Sequence, residues 1–307
     1  MLAIVAALSV KLYMSTVPPP LFLRVPSLEI AHRGYSFGAP ENTVAAFKVA
    51  LEQRVIAVEV DLMLSKDGVV VVAHDYKLDN FTDSTGLISE KTWSELCAVT
   101  VTRGGKSVLK TIRTGVDDKL ARFEDIVKAA RDAEIQLVIE LKTVTNSSHM
   151  IKRSAEILKE YNYVGNTLIT SFVPTMLVEF HRHCPEAYTL LLYSHRAFRT
   201  FCAHAPDSVR SSTLFHIACY KPEIFDNIAS YLVEPIAKIV GAGAVGLDVQ
   251  NPHISSLATR AIGWGLKVVL WTVNSIPQRE LVAAIHGNER GAIAIMSDCP
   301  HSFCPAE

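Results

Sequence analysis

The sequence predicts a single α/β domain folded as a TIM (β/α)8 barrel. Its 307 residues exceed the roughly 250 that such a barrel needs, and 49% apolar with 20% charged residues is an ordinary globular composition. Short β-branched runs alternate with longer amphipathic stretches, which is typical of parallel strands joined by helices. Polar residues follow several of these runs, where a barrel carries its functional site.

Eight apolar runs predict the strands of a closed barrel. They lie at 28–32, 56–61, 136–142, 167–172, 188–193, 245–250, 267–273 and 292–298. Helical spacing of apolar residues predicts the helices between them, at 42–53, 122–133, 149–161, 174–183, 254–263 and 277–286. Asn42 is the expected N-cap of the first helix, and Pro277 suits the first turn of the last one.

Two connections are longer than the about two to six residues usual in such units. The first is an insertion after strand 2, at 63–119, where Lys66-Asp67-Gly68 predicts a turn and the apolar run at 69–74 predicts a returning hairpin strand. The second is an insertion before strand 6, at 194–244. Its stretch 230–245 has helical spacing and little charge, so it is expected to be either a lid or lipid-facing surface, or a buried crossover helix.

Residues 1–26 form an apolar N-terminal segment ahead of a barrel domain at 27–307. The stretch 1–10 is almost wholly apolar, but Lys11 and the prolines at 18–20 interrupt it before it reaches the ~20 residues that span a bilayer. Two interpretations remain open. The segment is either a signal-like or truncated membrane anchor, or a stretch that packs on the barrel.

Charge and targeting signals limit the partners and the location. A net charge of −1 and a pI of about 6.8 give no field that would attract nucleic acid, so nucleic acid is not an expected partner. The apolar N-terminus makes a membrane surface an expected partner. Asn80 and Asn146 begin Asn-x-Ser/Thr triplets that would accept glycans in the secretory pathway. The expected location is therefore membrane-associated, in the secretory pathway or at the cell surface.

The six cysteines include no Cys-x-x-Cys pair, which argues against a zinc site. They are either free buried thiols or members of one or two disulfides in an oxidising compartment. Cys299 and Cys304 are close enough in sequence to be a candidate pair.

Carboxylates occupy alternate positions near the ends of two predicted strands. Glu59 and Asp61 share one face of strand 2, because side chains i and i+2 point the same way, and Glu140 holds a similar place on strand 3. Three acids in a low-dielectric pocket repel one another unless a cation compensates them. All-oxygen ligation suits one hard divalent cation, Mg²⁺ or Ca²⁺. The alternative is that barrel arginines or lysines pair with these acids.

Basic side chains accompany the acids. Arg33 and Lys142 are expected to bind a phosphate, the arginine through two N–H groups at once and the lysine as a point charge. His32 follows strand 1, and His74 follows the hairpin strand. Phosphodiester cleavage needs one group that activates a nucleophile and another that protonates the departing alkoxide. His32 and His74 are therefore the candidate catalytic residues.

The same residues resemble a known family, the glycerophosphodiester phosphodiesterases. The similarity lies in AHRGYSFGAPENTVAAF at 31–47, VEVDLMLSKDGVVVVAHD at 58–75, IELK at 139–142, TSF at 170–172 and LWTVN at 270–274. These motifs follow the family's order, and their combination is specific although each alone is not. The apolar N-terminus and the insertion before strand 6 are most similar to the membrane-associated animal members.

The resemblance implies metal-dependent hydrolysis of glycerophosphodiesters, such as glycerophosphoinositol or glycerophospho-N-acylethanolamine, to sn-glycerol 3-phosphate and an alcohol. It implies these roles: metal ligation by Glu59, Asp61 and Glu140, acid/base catalysis by His32 and His74, and phosphate binding by Arg33 and Lys142. Glu41 would be an orienting residue of the site's first loop. Trp271 would be an apolar wall of the pocket, or equally a barrel-core aromatic.

Two departures from the family's motifs and two other functions qualify this expectation. The usual I-P-T-L-E-E before the second helix reads LARFED at 120–125. The family's usual L-D-R-T-T-D after the HD motif reads LDNFTD at 78–83 here, so an arginine is missing from the insertion. A lysophospholipase D would use the insertion at 194–244 as an acyl groove. A non-catalytic membrane scaffold would need a broken site, whereas each expected chemical residue is present.

Overall fold

The computed structural model describes residues 19–20, 23, 29–103, 118–142, 146–196, 199, 202, 219–288 and 293–301. The strands are β1 (Glu29–Ala31), β2 (Ala57–Leu64), β3 (Val70–Val72), β4 (Ala121–Arg122), β5 (Gln136–Leu141), β6 (Thr167–Ser171), β7 (Tyr188–Tyr193), β8 (Ala244–Asp248), β9 (Lys267–Trp271) and β10 (Ile293–Ser297). The helices are α1 (Val44–Glu52), α2 (Trp93–Leu96), α3 (Phe123–Asp132), α4 (Ser147–Glu160), α5 (Pro174–His183), α6 (Pro222–Ile239), α7 (Ile254–Gly263) and α8 (Ile276–Asn288).

Eight of these strands, β1, β2 and β5 to β10, form a closed parallel barrel. Ile30 of β1 is in register with Met296 of β10 on one side and with Ala57 of β2 on the other, which closes the sheet. The helices cover the outside, as crossovers between parallel strands require. The predicted fold class and the eight predicted strands are confirmed, with small shifts at the strand ends.

The insertion after β2 begins with a hairpin, as predicted. Leu62 and Leu64 of β2 pair in antiparallel register with Val72 and Val70 of β3. Gly68 adopts a φ of +81° in the turn between them, a conformation that favours glycine. The two-residue strand β4 then pairs with β3, and it escaped prediction because so short a strand shows no periodicity.

The helices begin and end close to the predicted positions, but the expected cap of the first one is wrong. The N-cap of α1 is Thr43, whose hydroxyl accepts the N–H of Ala46 at 3.1 Å. Asn42 lies one residue earlier, where its side chain bonds to Asp61 instead. Pro277 is the second residue of α8, in the first turn as expected.

The insertion before β8 contains α6, which begins earlier and ends sooner than the predicted helical stretch at 230–245. Val233 and Ala237 are buried in the main core, as in a crossover helix. Ile224, Ile228 and Tyr231 are exposed instead. Their spacing of three or four residues places them on one face. The buried residues support the crossover helix, whereas a lid or lipid-facing role of this stretch stays a prediction.

Alternate barrel residues point inward. Ala57 and Val138 belong to the interior cluster, which also contains Ile30 and Leu168. Because side chains two apart share a face, Glu59, Asp61 and Glu140 also point inward, toward the carboxyl ends of their strands. The barrel therefore delivers the predicted acids to its mouth.

Little of the N-terminal segment is described. Residues 1–18 lie outside the described residues, whereas Leu23 is buried against the interior cluster of the barrel. Within the described part of the chain, none of the helices combines the length and the apolar character that crossing a membrane requires. The division at residue 26 stays a prediction.

Of the two alternatives for the cysteines, the described residues support the disulfides, together with two free thiols. Cys202 and Cys219 form one disulfide. No sequence motif predicted this pairing. Cys299 is also disulfide-bonded, while its candidate partner Cys304 lies outside the described residues. Cys97 and Cys184 are free.

Candidate active site

A cavity of about 460 Å³ opens at the carboxyl ends of the barrel strands. The predicted site residues that line it are His32, Arg33, Glu59, His74, Glu140, Lys142 and Trp271. Asp61 and Glu41 are buried beside it, in contact with Arg33. The barrel thus brings together side chains that come from five different regions of the sequence.

The three carboxylates form a compact cluster. One oxygen from each of Glu59, Asp61 and Glu140 lies within 4.8 Å of the other two. Lys142 Nζ contacts Asp61 at 2.9 Å and Glu140 at 2.7 Å. Glu59 accepts the backbone N–H of Arg33 at 2.8 Å, and among the described residues no lysine or arginine forms an ion pair with it. The expected alternative of pairing with barrel cations therefore applies to two of the acids only.

Burial and mutual repulsion shape the charge of this cluster. Burial raises the pKa of Glu59 well above its usual value, and the charges of Asp61 and Glu140 raise it further. Burial also raises the pKa of Glu140, although Lys142 opposes it. For Asp61 burial is outweighed by Lys142, His74 and Arg33, so the pKa is lowered. The cluster is short of positive charge at Glu59, and its oxygen donors fit a hard divalent cation.

Each candidate histidine is held by an aspartate. His32 Nδ1 lies 2.6 Å from Asp298 Oδ1, and His74 Nδ1 lies 2.6 Å from Asp75 Oδ1. A carboxylate at Nδ1 places the proton there in a neutral ring and leaves Nε2 to exchange protons. Burial lowers the pKa of His74 to about 4, with Lys142 and Arg33 adding to the effect, so this ring is neutral near pH 7.

Sequence reasoning missed Asp298 as a candidate site residue. It follows β10 and also accepts hydrogen bonds from Ser36 Oγ at 2.8 Å and Asn274 Nδ2 at 2.6 Å. Burial alone would raise its pKa, but His32 and these hydrogen bonds lower it, so the carboxylate stays charged. A signal existed, because Asp298 is the last residue of a predicted strand, where a barrel carries its site.

The loop after β1 places its polar residues on the acid cluster. Arg33 donates to Glu41 Oε2 at 3.0 Å, and its Nε lies 3.7 Å from Asp61. Asn42 donates to Asp61 Oδ2 at 2.8 Å and accepts the Asp61 N–H at 3.2 Å. Gly34 has a φ of +86°, and a Cβ there would lie 2.5 Å from Ala46 Cβ. Only glycine therefore lets this loop lie against α1.

An apolar wall faces the same cavity. Phe172 and Trp271 meet edge to face with ring centroids 5.7 Å apart, and Leu192 and Met296 extend this wall. Trp271 also packs against the interior cluster. It therefore lies in the barrel core and in the cavity wall, the two positions that were expected as alternatives. Its binding role stays a prediction.

The part of the chain that carries this site matches a known protein family. A sequence model of the glycerophosphoryl diester phosphodiesterase family matches residues 32–302. The chain belongs to this family. The match includes every residue of the acid cluster, both histidines and Asp298, and the resemblance stated above is thereby confirmed.

Relatives in bacteria and animals agree with this membership. A glycerophosphodiester phosphodiesterase of Caldanaerobacter subterraneus is 30% identical over 171 residues, which are 54% of this chain and 67% of that protein. Glycerophosphodiester phosphodiesterase 1 of Homo sapiens is 24% identical over 286 residues, covering 89% of this chain and 80% of that one. A phosphodiesterase structure from Oleispira antarctica shares the fold, with a TM-score of 0.67 at 22% identity over 90% of this chain and 94% of that chain.

Proposed function

We propose that this family member hydrolyses glycerophosphodiesters to sn-glycerol 3-phosphate and an alcohol, in a metal-dependent reaction with two catalytic histidines. The observation that carries the proposal is that His32 and His74, each held at Nδ1 by an aspartate, line one cavity together with the acid cluster. The Oleispira antarctica phosphodiesterase was solved with the product sn-glycerol-3-phosphate, which supports this choice of product.

Arg33 and Lys142 bind the substrate phosphate in this proposal. Both line the cavity, and both carry positive charge, since neighbouring carboxylates raise their pKa against the effect of burial. Glu59, Asp61 and Glu140 would hold one Mg²⁺ or Ca²⁺ ion. When bound, such an ion offsets charge on the phosphodiester and orients it.

The two histidines divide the proton transfers. One Nε2 accepts a proton from the nucleophile, which is water or an internal hydroxyl of the substrate, and the other Nε2 donates a proton to the departing alkoxide. Asp298 and Asp75 hold Nδ1–H of the two rings, so the accepting ring starts neutral with Nε2 free, and the donating ring starts as the imidazolium with a proton on Nε2. Trp271 and Phe172 shield one side of the cavity from water.

A head-group panel tests the function. Purified protein is expected to release sn-glycerol 3-phosphate from glycerophosphoinositol or glycerophospho-N-acylethanolamine faster than it cleaves a lysophospholipid. The reason is that the described cavity, about 460 Å³, is lined on one side by charged residues that fit a small polar diester. The acyl groove expected in 194–244 falls partly on 203–218, outside the described residues, and stays a prediction. Faster release of lysophosphatidic acid would indicate a lysophospholipase D, and no turnover of any diester would indicate a non-catalytic scaffold.

We also propose that α6 contacts a membrane surface. Ile224 and Ile228 are 49% and 50% exposed, beside the exposed Phe225 and Tyr231. Exposed apolar side chains gathered on one helix face are typical of a membrane-contacting surface. The start of α6 lies near the cavity, because Tyr193 at the end of β7 donates its hydroxyl proton to the Asp226 carbonyl at 3.0 Å. This face would hold the cavity at the surface where lipid-derived diesters form.

The double variant Ile224→Ser/Ile228→Ser is expected to lower the partition onto phosphatidylcholine–phosphatidylserine vesicles by about tenfold or more, because two isoleucines that become buried in the bilayer on binding contribute a few kcal/mol. Co-sedimentation measures it. The matched control is Trp264→Ser/Ile276→Ser, which removes side chains of similar exposure, 47% and 52%, from elsewhere on the surface. Equal loss in both variants would contradict the proposal. Deletion of 1–18, which keeps the buried Leu23, is expected to lower the partition further.

A secretory or cell-surface location is proposed with this membrane contact. Asn80 and Asn146 are both exposed, as glycan acceptors must be, and the Cys202–Cys219 disulfide agrees with an oxidising compartment. Protein that is expressed in a secretory host should lose mass when a glycosidase removes its glycans. An unchanged mass would argue for a different location.

A further inference from the structure

Arg103 joins two loops at the edge of the cavity. One nitrogen of its guanidinium donates to Asp75 Oδ2 at 2.6 Å, and another donates to Glu41 Oε1. The backbone takes part as well, since the Glu41 N–H donates to the Arg103 carbonyl at 3.0 Å. A guanidinium bound to two carboxylates fixes the rotation of both.

The Asp75 contact leads to a catalytic histidine. Asp75 uses its other oxygen, Oδ1, to hold His74 Nδ1 at 2.6 Å. Asp75 is partly exposed, and its other side-chain contact is a weaker one, with Asn80 Nδ2 at 3.3 Å. Without Arg103 the carboxylate would be free to turn toward solvent, and His74 would lose the partner that fixes its tautomer.

The Glu41 contact leads to a phosphate-binding residue. Glu41 Oε2 accepts from Arg33 at 3.0 Å, so the carboxylate lies between two arginines. It neutralises part of the charge on each and holds Arg33 beside Asp61. One side chain therefore supports both the acid/base side and the anion-binding side of the site.

Arg103 shares a partner with the residue that replaces the family's arginine in the insertion. Asn80 occupies that arginine's place in LDNFTD, and its amide reaches the same Asp75 oxygen that Arg103 binds. The guanidinium of Arg103 lies over the ring of the next residue, Phe81, at 5.7 Å from its centroid. A longer cationic side chain at position 80 would therefore reach Asp75.

We propose that Arg103 is a positioning residue, which holds Asp75 and Glu41 so that His74 and Arg33 stay in their working orientations. The inference rests on the proposed phosphodiesterase function for its kinetic consequence. Its geometric consequence, a fixed His74 tautomer, stands independently of turnover.

Arg103→Ala is expected to lower kcat for glycerophosphoinositol by about 10- to 100-fold and to raise KM, as loss of a supporting contact does at comparable sites. The matched control is Arg122→Ala, because Arg122 also pairs with a carboxylate, Asp125, and lies over an aromatic ring, that of Trp93, but away from the cavity. Steady-state kinetics of the two variants are compared. Wild-type values for Arg103→Ala, with Arg122→Ala unchanged, would overturn the inference.

Two further variants separate positioning from simple folding. In Asn80→Arg/Arg103→Ala the new arginine reaches Asp75 but lacks the bond to Glu41, so kcat should recover while KM stays raised. No recovery of kcat would overturn the proposed link through Asp75. Arg103→Lys keeps the positive charge, but a lysine has one nitrogen to bind the two carboxylates of Asp75 and Glu41. The kcat of this variant should therefore stay below that of the wild type. Full wild-type kinetics in this variant would also count against the inference.

A spectroscopic readout is independent of catalysis. Nitrogen NMR of the histidine side chains should show His74 in the Nδ1–H form in the wild-type protein, a mixture of tautomers in Arg103→Ala, and no change in Arg122→Ala. An unchanged His74 signal in Arg103→Ala would overturn the inference. If the wild-type protein cleaved no diester, the proposed function would fall, and this measurement would still decide whether Arg103 positions His74.

Discussion

Replacement of either His32 or His74 by alanine is expected to lower kcat by at least ~100-fold, because general acids and bases contribute about 10²- to 10⁴-fold. Each ring lines the cavity with Nδ1 held by an aspartate, so each has one nitrogen left for proton transfer. Neither histidine belongs to the apolar core, and folding should survive both changes. Steady-state kinetics together with circular dichroism check this result.

The chain supplies a matched control for these histidines. His195 is also paired with an aspartate, Asp248, at 2.9 Å, but it is not among the residues that line the cavity. His195→Ala should therefore keep most of the activity. If His32→Ala or His74→Ala turned over like the wild type with an unchanged fold, that histidine would have no part in the mechanism.

Removal of divalent cations is expected to abolish turnover, and Mg²⁺ or Ca²⁺ should restore it. The raised pKa values of Glu59 and Glu140 show that the charged cluster is unfavourable alone, whereas a cation would stabilise all three carboxylates. These carboxyls must lose their protons to bind the ion, so metal affinity should fall as the pH is lowered. Assays after exhaustive chelation, with each ion added back, test the requirement.

Glu140→Gln keeps the shape of its side chain but removes one charge from the cluster. It should weaken both metal affinity and turnover, whereas Glu134→Gln, an exposed change nearby in sequence, should affect neither. Binding to the folded state alone raises Tm, so the shift caused by added metal should be smaller in Glu140→Gln than in the wild type. An enzyme that stayed fully active without metal would show that these acids serve the barrel's structure instead.

Strand periodicity predicted the barrel, and with it the meeting of the acids. Glu59 and Asp61 could be assigned to one face because a strand has a period of two, and Glu140 faces them because Asp61 and Glu140 are in register on paired strands. Local rules suffice here, since closure of the barrel follows from the number and parallel order of its strands.

The contacts that sequence missed join distant segments. Asn42 is a residue type that often caps helices. Its side chain instead donates a hydrogen bond to Asp61, 19 residues away, and Thr43 is the N-cap. Arg103 lies 62 residues from Glu41 and follows no strand or motif. Such pairings depend on how loops meet over the barrel mouth, and no local pattern records them.

The pairing of His32 with Asp298 spans 266 residues and links the first barrel strand to the last. During synthesis the histidine emerges early and the aspartate late. In the proposed mechanism a nascent chain would therefore lack a complete proton-transfer site until β10 inserts between β1 and β9. The proposed activity would begin only once the barrel has closed, so partly made chains would cleave no diester.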